Sequence, residues 1–291
     1  MIKPLQPCGC GRPISSHKLF ECYRTKGLGT KSTYHQRVTT NLVRVRRQLM
    51  IEGQREIMGI CRKFFDKILD RLVNTALSRA SRQGAIIHSQ KASITLNLGA
   101  HERIWAQALQ EVLGPSADIE LINDYTPIVQ SVAARSYSRT CAIVGEEQAH
   151  DAPILILRRA QQMAQQVTRV NDTTRQQLST AIGTAIDEGL TVVEVANRLR
   201  EDFPDIAASR MPTIARTEVS RAIDEGVKQS IKESSVVKTV MVIGCTAIEP
   251  NGPLFDGKPT CNITGVPAHR VDELVFHPNH TGALVPESFF D

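Results

Sequence analysis

The sequence lacks the features that mark membrane-spanning and secreted proteins. No window approaches about eighteen uncharged apolar residues, so no transmembrane helix is predicted. The opening segment "MIKPLQPCGCGRP" lacks the apolar core of a secretory signal, which predicts synthesis in the cytoplasm. The seven cysteines are an odd number in a chain of 291 residues, so we expect reduced thiols rather than a disulfide framework.

Aromatic residues are also scarce, at 4% of the chain, and they are not interleaved with the basic residues. Residues 1–82 contain 17 Lys or Arg and 5 Asp or Glu, a net charge of +12, whereas the remainder carries −7. Such asymmetry indicates a basic region that contacts nucleic acid or an acidic partner. The alternative is a solvated helix face, because the basic residues have no stacking aromatics beside them.

The N-terminal part of the chain reads as an irregular segment followed by helix. Residues 1–36 contain Gly, Pro, Ser and Thr without a period, and we interpret them as an irregular basic arm. From Val38 to Ala76 the apolar positions step by three or four, which predicts a helix that continues to Arg82. A slip in this pattern at Gly53 leaves open whether the segment is one long helix or two. Residues 37–145 therefore form a predicted helical N-terminal region.

Shorter periodic segments follow. The β-prone piece "AIIHSQKASITLNLG" precedes two predicted helices, the second of which Pro127 could break. Thr191 and Glu194 have the spacing of a capping box, and "VVKTVMVIG" alternates as a strand does. The predicted fold is mainly α with a small β element, comprising an extended helical N-terminal half and an α+β C-terminal half. The predicted helices cover residues 102–113, 119–135, 153–167, 172–188, 191–203 and 207–233.

The C-terminal half carries an ordered series of motifs. A helix starts at "ND", an amphipathic helix follows "EGLT", and "IARTE" opens a long helix that leads into a strand. The pieces "DG", "TCN", "VPAH" and "HPNHTG" come next in that order. Over residues 150–291 this pattern resembles the phage head morphogenesis proteins, the Mu F-like minor capsid family. The resemblance rests on the order and spacing of the pieces, and it defines residues 150–291 as the predicted Mu F-like domain.

The resemblance implies a virion protein of a tailed bacteriophage, with a structural role in head assembly, portal-vertex association and DNA packaging or delivery. It implies several copies per virion, located in the head interior or at the portal vertex. The implied partners are the portal protein and the major capsid protein, with packaged double-stranded DNA as a further partner for residues 1–82. No membrane partner and no catalytic activity are expected. A metal-dependent nuclease and a DNA-binding regulator are the alternative functions.

Two short motifs are interpreted as structural rather than catalytic. We expect Arg216 and Glu218 of "IARTE" to be buried and to anchor their helix against the strand after Val236. A catalytic role is not expected, because no His, Cys or Ser nucleophile lies at a characteristic spacing from them. Glu218 and Arg221 lie three residues apart and can pair across one helical turn. Asp256 and Gly257 form the structural "DG" element of the tail.

Two groups of soft ligands are candidates for a zinc site, although the default interpretation is that no cofactor is bound. In the tail, His277 and His280 are the one close pair, and the spacing to the other ligands is loose for zinc. At the N-terminus, four ligands lie within fifteen residues on a glycine-rich segment that a metal could stabilise. The alternative for the tail is a proline-containing loop with hydrogen-bonded histidines. The alternative for the N-terminus is an arm with reduced thiols. The tail candidates are Cys245, Cys261, His269, His277 and His280, and the N-terminal candidates are Cys8, Cys10, His17 and Cys22.

Overall fold

The computed structural model describes residues 31–82, 98–145, 154–165, 168–245, 253–261, 263–276, 280 and 282–289. Within these ranges the chain is mainly α with a small β element, which confirms the predicted fold class. The helices are α1 (Lys31–Arg82), α2 (Leu98–Val112), α3 (Pro115–Val144), α4 (Ile154–Gln165), α5 (Thr168–Asp187) and α6 (Val192–Glu233). None of these helices combines the length and low charge needed to cross a bilayer.

Within the part of the chain that the structure describes, the β element lies after α6. Strands β1 (Val237–Ile243), β4 (Val266–Pro267) and β5 (Ala283–Phe289) form an antiparallel sheet with β1 in the centre. The β-branched alternation of β1 places Val240 and Val242 in the core, and Val237 is buried as well, beyond a register shift in the β1–β5 pairing. Strands β2 (Leu254–Phe255) and β3 (Lys258–Pro259) form a hairpin, and a 3₁₀ helix over Ala268–Glu273 follows β4.

The chain divides into two compact units, each assembled from separate segments. Unit 1 comprises Met1–Gln54, Ile128–Met163 and Arg216–Asp291, and unit 2 comprises Arg55–Pro127 and Ala164–Ala215. Helices α1, α3, α4 and α6 therefore contribute residues to both units. The whole β element belongs to unit 1.

Unit 1 is built on apolar faces of α1, α3, α4 and α6 together with the sheet. Gly53 lies inside α1, and a Cβ added there would come within 2.9 Å of both methyl groups of Val219 and 3.1 Å of a Val132 methyl. Gly53 therefore allows α6 to approach α1 closely and does not end α1. The interpretation of this segment as one long helix is correct. The buried core includes Leu42, Leu49, Val132, Ala133, Ile156, Ala160, Val219, Ile223, Val227, Val240, Val242 and Val285.

Unit 2 has its own apolar core. The rings of Phe65 and Phe203 meet edge to face at 6.0 Å between centroids, and the Cys61 sulfur lies 2.6 Å from the Tyr125 hydroxyl oxygen. The predicted capping box is confirmed, because the Thr191 amide donates to the Glu194 carboxylate (2.8 Å) and the Glu194 amide donates to the Thr191 hydroxyl (3.3 Å). Other fully buried side chains include Ile57, Ile68, Leu72, Ile104, Trp105, Leu121 and Leu178.

Two predicted helix breaks are wrong. The predicted helices over 191–203 and 207–233 are a single helix, α6, which continues through Pro204 and Pro212. Both prolines are exposed, while Phe203, Ala207 and Met211 keep the buried face continuous, so core packing outweighs the lost backbone hydrogen bonds. For the same reason the exposed Pro127 does not interrupt α3.

The start of α1 also corrects the boundary of the predicted arm. Residues 31–36 are helical, and Tyr34 is buried with its ring edge to face against Phe289 at 5.3 Å. The aromatic contact fixes this first turn on the sheet of unit 1. Three predicted features lie outside the described residues: the rest of the predicted arm, the β-prone segment up to Asn97, and the predicted helix start at Pro153.

Candidate functional site

The candidate site of unit 1 begins at the end of the central strand. Strand β1 ends at Ile243, and Gly244 then adopts a φ of +76°, a conformation that side chains with a Cβ rarely take. Cys245 follows directly and is half-buried. The glycine turn therefore places the Cys245 thiol at the end of β1 instead of along the sheet.

The second thiol, Cys261, follows the β2–β3 hairpin. Asp256 and Gly257 form the two-residue turn of this hairpin with φ values of +48° and +77°, the conformation for which an Asp-Gly pair is favoured. The Val242 amide donates a 2.8 Å hydrogen bond to the Ile263 carbonyl oxygen. Because this bond holds the segment after the hairpin against the end of β1, the buried Cys261 comes close to Cys245.

The third side chain, His280, lies just before β5 and is 1% exposed. Its carbonyl oxygen accepts a 2.9 Å hydrogen bond from the Ser220 hydroxyl of α6. Its ring stacks on Phe276, with 4.1 Å between centroids and 3° between planes, and the Lys228 ammonium group lies 5.2 Å from the Phe276 centroid. Lys228 also donates to the Leu274 carbonyl oxygen, so α6 fixes the segment that presents the imidazole.

Cys245, Cys261 and His280 converge on one small volume. Their ligand atoms all lie within 4.8 Å of one another. Gly282 leaves the space for this approach, because a Cβ at that position would lie 2.6 Å from the Cys245 sulfur and 2.7 Å from His280 Nε2. Within the described ranges this is the one group of three or more His, Cys, Asp or Glu side chains with such convergence.

A buried polar network lies behind the imidazole. His280 Nδ1 is 3.5 Å from an Asp224 carboxylate oxygen, and the other oxygen accepts a 2.5 Å bond from Arg46 of α1. Arg46 also donates to the Ser220 hydroxyl at 2.6 Å. Burial acts to raise the pKa of Asp224, but the charge of Arg46 and the contact with His280 outweigh it, so the pKa is lowered. Asp224 is therefore ionised at neutral pH and electrostatically matched to Arg46.

The chemistry of this donor set is that of a soft metal site. Two sulfurs and an imidazole nitrogen are ligands that zinc accepts in tetrahedral sites, where a fourth position completes the shell. The described cysteines form no disulfide bond, so both sulfurs can lose a proton and bind a metal as thiolates. The arrangement can hold a metal that joins β1, the segment after the hairpin and the start of β5.

The structure brings together only part of the predicted tail group. Cys245, Cys261 and His280 meet, whereas His269 is exposed on the 3₁₀ helix and is not a member of the group. His277 lies outside the described residues, and so do the N-terminal candidates Cys8, Cys10, His17 and Cys22. The three ligands come from three separate segments that the sheet brings together.

The "IARTE" motif is only partly as expected. Glu218 is buried and pairs with Arg221 at 3.3 Å, in agreement with the predicted i,i+3 spacing. Burial raises the pKa of Glu218, with Arg221 opposing the rise. The expectation that Arg216 is buried is wrong, because its side chain is exposed on α6. The buried arginine that contacts α6 in unit 1 is Arg46, which carries no local sequence signal beyond its place on the apolar stripe of α1.

Comparison with known proteins gives no further assignment. The chain matches no family model, no curated protein and no solved structure.

Proposed function

We propose that this chain is a structural, non-catalytic minor head protein of a tailed bacteriophage. The observation that carries the proposal is that the motif series from Arg216 of "IARTE" onward belongs to one compact unit. "IARTE" lies on α6, "DG" forms the hairpin turn, and "VPAH" spans β4 and the first residues of the 3₁₀ helix. Motifs that recur in a fixed order and fold together are typical of a domain rather than of scattered chance matches.

The proposed role is in head assembly, portal-vertex association and DNA packaging or delivery, at the portal vertex or inside the head. Binding rather than catalysis is the proposed mechanism, with the portal and major capsid proteins as partners. The basic excess supports a further contact with packaged DNA, because α1 exposes Arg55, Arg62 and Lys63 on its solvent side.

Purified particles of the phage that encodes this chain are expected to contain it in far fewer copies than the main shell protein. A portal-associated component occupies one vertex, whereas the shell protein covers the whole surface, so the ratio is small but constant between preparations. Quantitative mass spectrometry of particles purified by density gradient measures this ratio. A phage protein that is made in infected cells but is not part of the particle serves as the control for contamination.

Two results would contradict the proposal. One is absence of the chain from particles while it is abundant in infected cells. The other is a copy number that varies between preparations in step with the contamination control.

The full chain is also expected to bind duplex DNA with little dependence on sequence. Each neutralised phosphate releases condensed counterions, so the affinity falls linearly with log salt, with a slope of about −0.9 per contact. Replacing Arg55, Arg62 and Lys63 together by glutamine is expected to weaken binding and to make this slope shallower by up to about 3. Titration of labelled duplex at several salt concentrations measures both quantities.

A matched variant separates this region from net charge alone. Arg158, Arg200 and Lys238 are exposed cations outside α1, and replacing them by glutamine removes the same total charge. We expect this control to bind DNA nearly as well as the unmodified chain. Equal weakening by the two triple variants would remove the exposed face of α1 that carries Arg55, Arg62 and Lys63 as the DNA-contacting region. Removal of the whole segment is unsuitable as a test, because α1 supplies buried Leu49 to unit 1 and buried Leu72 to unit 2.

A further inference from the structure

We propose that Cys245, Cys261 and His280 bind one Zn²⁺ ion, which joins the end of β1, the segment after the β2–β3 hairpin and the start of β5. The inference does not depend on the proposed role in the phage head, because it rests on the donor atoms and their surroundings in unit 1. Binding to the two thiols releases two protons to solvent, and the resulting thiolates neutralise the charge of the ion.

The positions of the donor atoms fit a zinc ion with small adjustments. Zinc–sulfur bonds of about 2.3 Å and zinc–nitrogen bonds of about 2.0–2.1 Å in a tetrahedron place ligand atoms about 3.4–3.8 Å apart. The three donor atoms lie within 4.8 Å of one another, so side-chain rotations that close the gaps by about 1 Å complete the site. Three protein ligands leave the fourth position for water or another donor.

The surroundings identify the nitrogen that binds. His280 Nε2 and the Cys245 sulfur both face Gly282, since a Cβ there would lie 2.7 Å and 2.6 Å from them. His280 Nδ1 faces the opposite way and lies 3.5 Å from Asp224. A metal-binding histidine commonly offers one nitrogen to the ion and the other to a carboxylate, which fixes the tautomer and the ring orientation. Asp224 is therefore a positioning residue for His280.

The rest of the imidazole environment restrains His280 as a ligand. The ring is stacked on Phe276 and its backbone is held by Ser220, while Arg46 holds the carboxylate of Asp224 in place. Cys261 is 8% exposed and His280 is 1% exposed, so the site excludes most solvent. Ligands restrained in this way lose little freedom on binding, and a shielded site strengthens the attraction between Zn²⁺ and the thiolates.

The test starts from full-length chain purified under reducing conditions, with zinc measured by elemental analysis. We expect about one zinc per chain in the unmodified protein, and less than about a tenth of that in C245S, C261S and H280A. H269A is the matched histidine control, since His269 is exposed in the same tail. C141S is the matched cysteine control, because Cys141 is buried elsewhere in unit 1 and donates to the Ser230 hydroxyl at 3.1 Å. Both controls are expected to retain the metal.

Cobalt substitution keeps the proposal testable even if a ligand variant fails to fold. The unmodified chain is stripped with a chelator and refilled with Co²⁺, and thiolate-to-cobalt charge-transfer absorption with the intensity of two sulfurs is expected. G282A, whose added methyl group would occupy the site, is expected to bind Co²⁺ at least about tenfold more weakly.

Three results would overturn the proposal. The first is absence of zinc in the unmodified protein together with absence of the charge-transfer band after Co²⁺ addition. The second is equal metal loss in the ligand variants and in H269A and C141S. The third is an intact mass that shows Cys245 and Cys261 joined in a disulfide bond under the same reducing conditions.

Discussion

Replacing Asp224 by alanine is expected to destabilise the folded chain by about 3–5 kcal/mol, because Arg46 would remain buried without its counter-charge. Side chains of both residues are almost inaccessible, at 9% exposure for Arg46 and 5% for Asp224. The same substitution removes the carboxylate beside His280. Urea unfolding of the unmodified chain and of D224A at pH 7 measures the difference in unfolding free energy.

An exposed ion pair in the same unit provides the matched control. Glu52 pairs with Arg135 at 3.0 Å, and both side chains are about one-third exposed to solvent. E52A is expected to cost less than about 1 kcal/mol, because solvent screens the pair. Equal effects of D224A and E52A would show that the Arg46–Asp224 pair is not buried as described.

The Asp224 contribution also has a defined pH dependence. Its pKa is lower in the folded chain than the unfolded value of about 3.9, so the carboxylate stabilises the folded state above that value. Protonation removes this stabilisation as the pH falls from about 4 through the folded pKa. The difference between the unmodified chain and D224N is therefore expected to be constant from pH 7 to about 5 and to shrink below about pH 4. A difference that grows at acidic pH would contradict the assignment.

Replacing Gly226 by alanine is expected to destabilise the chain by about 3 kcal/mol. A Cβ at this position of α6 would overlap the Ala133 carbonyl oxygen and lie 2.8 Å from both the Ser136 Cβ and the Tyr137 backbone nitrogen of α3. Two of these three atoms are backbone, so relief requires the helices to separate. Separation would also stretch the 2.8 Å hydrogen bond from the Ser136 hydroxyl to the Ile223 carbonyl oxygen. Urea unfolding measures the loss.

Two helical glycines without such neighbours serve as controls of opposite sign. A Cβ added at Gly59 of α1 or Gly183 of α5 would meet nothing within 4 Å. G59A and G183A are each expected to stabilise the chain by about 0.5–1 kcal/mol, because alanine has the higher helix propensity. The account of the α3–α6 contact would be wrong if G226A were as stable as these controls.

The helices were largely predictable from sequence because their signal is local. The apolar repeat of α1 and the Thr191–Glu194 capping box are each defined by residues only three or four positions apart. Both are present in the structure as predicted. Gly53 and the prolines of α6 were ambiguous for a physical reason. Whether such a residue ends a helix depends on what packs against it, as Val219 does against Gly53.

The candidate site was less predictable because its signal is not local. Cys245, Cys261 and His280 were each recognisable as soft ligands, but their separation gave no spacing rule that would unite them. Their convergence follows from the antiparallel sheet and from the Val242–Ile263 hydrogen bond. His269, which lies between two of them in sequence, faces solvent because the 3₁₀ helix buries Ala268 and Val271 instead. Arg46 and Asp224 could not be paired from sequence, since they lie on different helices.

The central structural claim is that two sulfurs and one imidazole form a zinc site at the end of β1, and zinc X-ray absorption spectroscopy of the full chain tests it most directly. The predicted spectrum contains two sulfur scatterers at about 2.3 Å and imidazole nitrogen at about 2.0–2.1 Å. In H269A, which is expected to retain the metal, the same two sulfurs and imidazole nitrogen are expected, because His269 is not a member of the group. A first shell of only nitrogen and oxygen, or of four sulfurs, would contradict the assignment of Cys245, Cys261 and His280 as the ligands.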